Sequence, residues 1–188
     1  WMAVNEKQQD ISIMVFSLGQ LLREFVKSSN DYKYLIALRH ELETLNYYVN
    51  IQKMRFKESL IFKQDVDSSL LDCMIPRMIL QPIVENSIKY GVESIAEVCI
   101  IELSIYTVEN KLILKIKDNG IGVEPQLIEK LQSGEYAPKN TGIGLSNIIS
   151  RLELIYGSEG KLKIYNASPR GCIVEVVVPI KVGHEKGA

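Results

Sequence analysis

Asp118-Asn119-Gly120-Ile121-Gly122 is the stretch of this chain that decides its fold, together with Gly142-Ile143-Gly144-Leu145 further along. Residues 112–117 alternate apolar and basic side chains, which predicts a half-buried strand that ends at the Asp118 carboxylate. A carboxylate at a strand end can accept a charge-assisted hydrogen bond from an exocyclic amine such as that of adenine. Because Gly120 and Gly122 lack side chains, the backbone there can approach a flat base closely.

The second glycine pair, Gly142 and Gly144, stands in front of a segment whose apolar spacing predicts a helix. The apolar residues of that segment are Leu145, Ile148, Ile149, Leu152 and Ile155. The N-terminus of a helix presents unpaired N–H groups and the positive end of its dipole, both of which suit phosphate groups.

A third motif, residues 79–91, precedes both glycine pairs and is predicted to be helical. Asn86 and Lys89 lie three residues apart, so they share one helix face. An amide oxygen can ligate Mg²⁺ and an ammonium group can contact a phosphate. Each motif alone has an ordinary explanation as a turn, a helix start or a solvated helix face. The three in this order predict a nucleotide pocket.

Two segments with three-four apolar spacing come first in the chain, separated by a predicted turn at residues 28–31. Their apolar positions are Ile11, Met14, Leu18, Leu21 and Phe25 in the first, and Leu35, Leu38, Leu42, Leu45 and Val49 in the second. A helical hairpin with such seams is typical of half a four-helix bundle. The alternative is that one seam packs on the following domain and not on a partner chain.

From residue 59 the pattern changes to strands with intervening helices. Strands are predicted at residues 60–66, 98–108, 111–117, 161–165 and 172–178, and the motif helix at residues 78–90. Glu109-Asn110 predicts a hairpin turn. The order favours an α+β fold, a two-layer sandwich of a mixed sheet with helices on one face.

Composition narrows the function classes. The 188-residue chain has a net charge of −1, which gives no electrostatic reason for nucleic-acid binding or for attraction to an anionic membrane surface. Three scattered cysteines lack the spacing of metal ligands, so we expect reduced and mostly buried thiols. No apolar run approaches the roughly 20 residues that span a bilayer.

The motifs resemble those of the GHKL ATP-binding fold. Residues 85–90 resemble its N-box, residues 118–122 its G1 box and residues 142–145 its G2 box. Within that fold the chain is most similar to sensor histidine kinases of the LytS/YesM-like type, because Gln81-Pro82-Ile83-Val84-Glu85-Asn86 and Tyr48-Val49-Asn50-Ile51-Gln52-Lys53-Met54-Arg55-Phe56 are typical of them. Gly171-Cys172 is similar to the family's terminal Gly-Thr box, with Cys in place of Thr.

The resemblance implies a Bergerat-type two-layer α/β sandwich with an N-terminal helical hairpin, and a role for each matched residue. Glu85 and Asn86 would be catalytic, Glu85 polarising the attacking group or a metal-bound water and Asn86 ligating Mg²⁺. Lys89 would contact phosphate, Tyr90 would flank the base and Asp118 would bind the adenine amine. The other nucleotide-binding positions would be Asn119, Gly120, Gly122, Gly142, Gly144, Leu145 and Asn147. Residues 124–141 would form a flexible lid.

The resemblance also implies an organisation and an activity. Residues 1–58 would be part of a dimerisation and phosphotransfer segment, residues 59–182 the ATP-binding catalytic domain and residues 183–188 a tail. The domain would transfer the γ-phosphoryl group of ATP to a His and then to an Asp of a response-regulator receiver domain. The parent protein would be a homodimer, membrane-anchored upstream, with this part in the cytoplasm. The alternatives are a GHKL protein-serine kinase or ATPase, and a non-catalytic ATP-binding dimerisation module.

The phosphoacceptor is the departure from that pattern. In the resembled kinases it lies in a His-Phe-Leu-x-Asn motif, whereas the histidines here, His40 and His184, stand in no such motif. We therefore expect a chain truncated just after the acceptor motif, with His40 as a solvated helix residue and only a minor alternative as a phosphorylation site. It should bind ATP without phosphorylating itself. Replacing Asp118 with Ala is expected to weaken ATP binding and leave the fold intact.

Overall fold

The computed structural model describes residues 11–23, 34–92, 97–126, 128–129 and 143–182. The helices are α1 at residues 11–23, α2 at Leu38–Phe56, α3 at Gln81–Val92 and α4 at Ile143–Tyr156. The strands are β1 at Leu35–Ala37, β2 at Leu60–Val66, β3 at Met74–Pro76, β4 at Cys99–Val108, β5 at Lys111–Asp118, β6 at Lys161–Asn166 and β7 at Cys172–Pro179.

Five strands form one mixed sheet in the order β2-β4-β5-β7-β6. The β2–β4 pair is parallel and the other three pairs are antiparallel. Glu109 and Asn110 join β4 to β5 with φ angles of 47° and 63°, as a two-residue type I′ turn requires. The hairpin predicted from the sequence is therefore present. β1 and β3 form a separate antiparallel pair.

The two faces of the sheet differ sharply in chemistry. The strand register aligns every second residue into one buried apolar face, made of Cys99, Ile101, Leu103, Ile105, Leu112, Leu114, Ile116, Ile164, Val174, Val176 and Val178. The other face carries cross-strand ion pairs, Lys63 to Glu102 at 3.1 Å and Lys115 to Glu175 at 3.6 Å. A sheet that is apolar on one side must be covered there by helices, so the two-layer α+β prediction is confirmed.

Helix α2 packs into the same core as the sheet. The side chains of Leu38, Leu45 and Val49 are buried there, as the second apolar seam predicts if it faces the following domain. The prediction that Leu35 belongs to the helix was wrong, because Leu35 lies in β1 opposite Pro76. The helix begins only at Leu38, where the backbone N–H of Leu38 donates to the carbonyl oxygen of Cys73 at 2.8 Å and so replaces a side-chain cap.

Helix α1 lies against α2 but keeps much of its apolar seam in solvent. The rings of Phe16 and Tyr47 meet edge-on with their centroids 5.9 Å apart, which confirms contact between the two helices of the hairpin. Ile11, Met14 and Leu18 are exposed. The predicted turn at residues 28–31 and the seam residue Phe25 lie outside the described residues.

None of the helices in the described ranges is both long and apolar enough to cross a membrane.

Cys73 and Cys99 are buried free thiols and Cys172 is a half-buried one. Over the same ranges, no three His, Cys, Asp or Glu side chains come together in a group that could hold a metal ion.

Candidate functional site

Helix α3 divides the motif residues between its two sides. Its buried side packs on β4 and β5 through Ile83, Val84, Ser87, Ile88 and Gly91. Its outer side exposes Glu85, Lys89 and Tyr90, with Asn86 half-buried beside them. The Lys89 ammonium lies 5.3 Å from the Tyr90 ring centroid, and the Gln81 amide donates to a Glu85 carboxylate oxygen at 2.8 Å. Polar groups suited to phosphate and metal therefore line one exposed face.

Asp118 ends β5 as a buried carboxylate, 7% exposed. Its Oδ2 accepts from the Ser87 hydroxyl at 3.0 Å, which ties it to α3. Its Oδ1 accepts from the backbone N–H of Gly120 at 2.9 Å and of Cys172 at 3.1 Å. Three elements of the fold thus fix the orientation of this carboxylate.

Close packing brings two of the motif glycines, Gly120 and Gly144, onto α3. A Cβ on Gly120 would lie 3.1 Å from the carbonyl oxygen of Tyr90, near the end of α3. A Cβ on Gly144 would lie 3.1 Å from the Cβ of Pro82, at the other end of that helix. Because added side chains would crowd both contacts, glycine at these two positions lets the loop after β5 and the start of α4 approach the motif helix closely.

Two asparagine side chains fasten the loop that follows Asp118. Asn119 accepts from the backbone N–H of Ile100 at 2.7 Å and donates to the carbonyl of Val98 at 2.9 Å, and its contact with nucleotide stays a prediction. Asn166 holds Val123 in the same way, at 2.7 Å and 2.9 Å, next to Gly122 with its φ of 81°. Asn166 was not identifiable from the sequence, since its partner lies far away along the chain.

Helix α4 carries the remaining predicted positions. Gly144 is the second residue of α4, Leu145 packs partly buried against the core, and Asn147 is exposed. Gly142 and most of the predicted lid, residues 124–141, lie outside the described residues, which include only residues 124–126 and 128–129 of that segment. Contact between these positions and a nucleotide stays a prediction.

Glu41 is a buried residue that belongs to none of the sequence motifs. Its side chain, on α2, is 4% exposed and accepts hydrogen bonds from three consecutive backbone N–H groups, those of residues 78–80, just before α3. Burial raises the pKa of the Glu41 carboxyl above its ordinary value, against the opposing effect of those three N–H groups and of the Arg151 charge. A pattern of apolar spacing cannot reveal such a residue, because Glu41 occupies a position that looks like a solvated helix face.

The charge on Asp118 influences the thiols around it. Burial, with the Asp118 carboxylate as the second cause, raises the pKa of Cys172 to about 12 and that of Cys99 to about 11. Both thiols are therefore neutral at physiological pH and act as packing groups next to the carboxylate.

These features define the class of protein. Residues 72–182 match the family model of histidine kinase-, DNA gyrase B-, and HSP90-like ATPases, and residues 1–60 match a histidine kinase model. The chain belongs to this ATPase family, whose fold is an ATP-binding one.

Particular relatives are sensor kinases. The chain is 31% identical to the sensor histidine kinase YesM of Bacillus subtilis (strain 168) over 96% of its own length and 30% of that protein. It is 31% identical to the sensor protein LytS of Bacillus anthracis over 81% of its own length and 26% of that protein. It thus spans less than a third of either relative. The catalytic domain of the histidine kinase ThkA shares the fold, with a TM-score of 0.59 at 21% identity, over 79% of this chain and 97% of that one.

Proposed function

We propose that this chain is the ATP-binding catalytic part of a two-component sensor histidine kinase. The observation that carries the proposal is the Asp118 carboxylate, which is buried beside α3 and next to Gly120, where that glycine packs against the carbonyl oxygen of Tyr90. A carboxylate has about four acceptor positions, and three of them are taken by Ser87, Gly120 and Cys172. The remaining position suits one further donor, and the exocyclic amine of adenine is such a group.

The exposed face of α3 would hold the phosphate end of the nucleotide. Asn86 and Glu85 offer hard oxygen donors of the kind that Mg²⁺ prefers, and Lys89 offers an ammonium group to the phosphates. Mg²⁺ held by the Asn86 amide would offset phosphate charge as it develops in the transition state. Glu85 would polarise the attacking imidazole. That nitrogen would bond to the γ-phosphorus as the bridging bond to ADP breaks, and the phosphoryl group would pass next to a receiver-domain Asp.

The wider protein would be a membrane-anchored homodimer with this part in the cytoplasm and a response regulator as its partner. The names of the relatives, sensor histidine kinase and sensor protein, support this. The exposed apolar residues of α1, including Ile11, Met14 and Leu18, suit packing against a second copy. The near-neutral net charge offers no support for a nucleic-acid partner.

Calorimetry with ATP, followed by incubation with γ-labelled ATP, tests the proposal. ATP should bind, yet the chain should carry no acid-labile label, because no histidine here stands in the acceptor motif. His40 is exposed on α2, with its Nδ1 3.9 Å from a Glu43 carboxylate oxygen. An added acceptor helix hairpin from the parent protein should become labelled on His in trans. Absence of ATP binding, self-labelling at His40 or acid-stable label on Ser or Thr would contradict the proposal.

A further inference from the structure

The backbone turn at residues 78–80 directly precedes the helix that carries Asn86 and Lys89. Met78 has a φ of 55°, an uncommon conformation for a residue other than glycine, and the three N–H groups of the turn converge on one point. The Glu41 carboxylate occupies that point, with its Oε2 2.8 Å from the N of Met78 and its Oε1 2.7 Å and 3.0 Å from the N atoms of Ile79 and Leu80.

The same turn is held from its other side by α4. The Arg151 guanidinium donates to the carbonyl oxygen of Arg77 and, at 3.4 Å, to that of Met78. The N–H groups of the turn are thus bound by α2. The carbonyl groups of Met78 and of Arg77, the residue just before the turn, are bound by α4. The turn in which α3 begins is consequently fixed by the helix on either side of it.

The turn is coupled directly to α3. The carbonyl of Leu80 accepts the N–H of Val84 at 3.1 Å, while the N–H of Leu80 donates to Glu41. A displacement of Leu80 would therefore tilt the first turn of the helix and move Glu85 and Asn86. Asp118 would feel it less, because two of its three hydrogen bonds come from outside α3.

We propose that Glu41 is a positioning residue of the ATP site, which sets the place of the metal-binding face of α3 through the turn at residues 78–80. The inference rests on the proposed function. It means that α2, which lies in the part of the chain matched by the histidine kinase model, supplies a side chain that the nucleotide domain needs. A change in α2 would then alter metal and phosphate contacts without any contact between α2 and the nucleotide.

The test is Glu41→Gln in the full chain, with ATP affinity measured in Mg²⁺ and in EDTA. Gln keeps the size and one acceptor oxygen, but its NH₂ group opposes the N–H of Met78. The enhancement of ATP affinity by Mg²⁺ should fall by about tenfold, as for other residues that orient metal ligands, while affinity in EDTA stays within a factor of about two of wild type. Glu43→Gln, on the exposed side of the same helix, is the matched control and should change neither value.

A purely structural role for Glu41 predicts a different outcome. In that case Glu41→Gln lowers the free energy of unfolding but leaves the Mg²⁺ enhancement of ATP affinity in the folded variant at the wild-type value. That result would overturn the inference. If Glu41→Gln does not fold, Arg151→Met loosens the same turn from its carbonyl side. It should show the same selective loss, and unchanged Mg²⁺ dependence there would equally refute the idea. Failure of the wild-type chain to bind ATP would instead refute the proposed function.

Discussion

Asp118→Asn separates nucleotide binding from folding. The Asn carbonyl oxygen can replace Oδ1 and keep the hydrogen bonds from the backbone N–H groups of Gly120 and Cys172. The amide NH₂ then replaces Oδ2, and the Ser87 hydroxyl can rotate to accept from it. All three fold contacts survive, but the position left for the adenine amine now presents a donor to a donor.

The expected magnitudes follow from that geometry. A lost charge-assisted bond with an unpaired amine left behind costs about 2–4 kcal/mol of binding, which is roughly 30- to 700-fold in affinity. Folding should lose only about 1 kcal/mol, because neutral hydrogen bonds replace charged ones. Asp118→Ala is a poorer test than the sequence suggests. It leaves three buried donors unpaired, at about 1–3 kcal/mol each, so the expectation of an intact fold no longer holds.

The assays are calorimetric titration with Mg²⁺·ATP and urea unfolding of the wild type and of Asp118→Asn. A well-folded variant with wild-type ATP affinity would refute the assignment of Asp118 to adenine. A variant that loses several kcal/mol of stability would refute the exchange of hydrogen bonds described above.

The other predictions concern the metal and the thiols. Asn86→Ala should abolish the Mg²⁺ enhancement of ATP binding, whereas Asn50→Ala, an exposed change on α2, should keep it; retention by Asn86→Ala in the same titrations would exclude its metal role. Cys99 and Cys172 have raised pKa values, about 11 and about 12, so alkylation at pH 8 should be about a hundredfold slower at Cys99 and about a thousandfold slower at Cys172 than in the urea-unfolded chain; equal rates would contradict their burial. The stability that these thiols contribute is complete below their ordinary pKa of 9.0 and is lost as the pH rises through about 11 and 12.

The sequence predicted the strands of the sheet well because their signals are local. Alternation and the Glu109-Asn110 turn identified β4 and β5 almost to the residue, and β2 at Leu60–Val66 was identified without error. The start of the motif helix was wrong by three residues, at Gln81 and not at residue 78. Apolar spacing continues through the turn at residues 78–80, so periodicity alone could not show that Met78 has left helical geometry.

The candidate site was predictable only where motif and neighbour lie close along the chain. Asp118 and the motif glycines can be recognised from the sequence by their residue types and their fixed spacing. Asn119 is predicted at the nucleotide from its place in the motif, but the bonds of its amide to the start of β4 could not be read from the sequence. Asn166 and Glu41 act on segments about 40 residues away in sequence. Partners at such separations are chosen by the folded topology, which no local pattern encodes.

The domain boundary predicted at residue 58 need not separate two independently stable units, because the core of the following domain includes side chains of α2. Removing α2 would uncover the core against which Leu38, Leu45 and Val49 pack, at about 1.5–3 kcal/mol for each side chain. It would also break the three hydrogen bonds from the turn to Glu41, worth about 1.5–3 kcal/mol each when the acceptor is charged. The conformational entropy that the chain loses when α2 becomes ordered is no longer lost, and this offsets part of the cost. A net loss on the order of 5 kcal/mol is comparable with the whole stability of a domain. A fragment of residues 59–188 should therefore be largely unfolded by circular dichroism and urea titration. A cooperative transition as stable as that of the full chain would show that α2 is only attached to the nucleotide domain and is not part of its core.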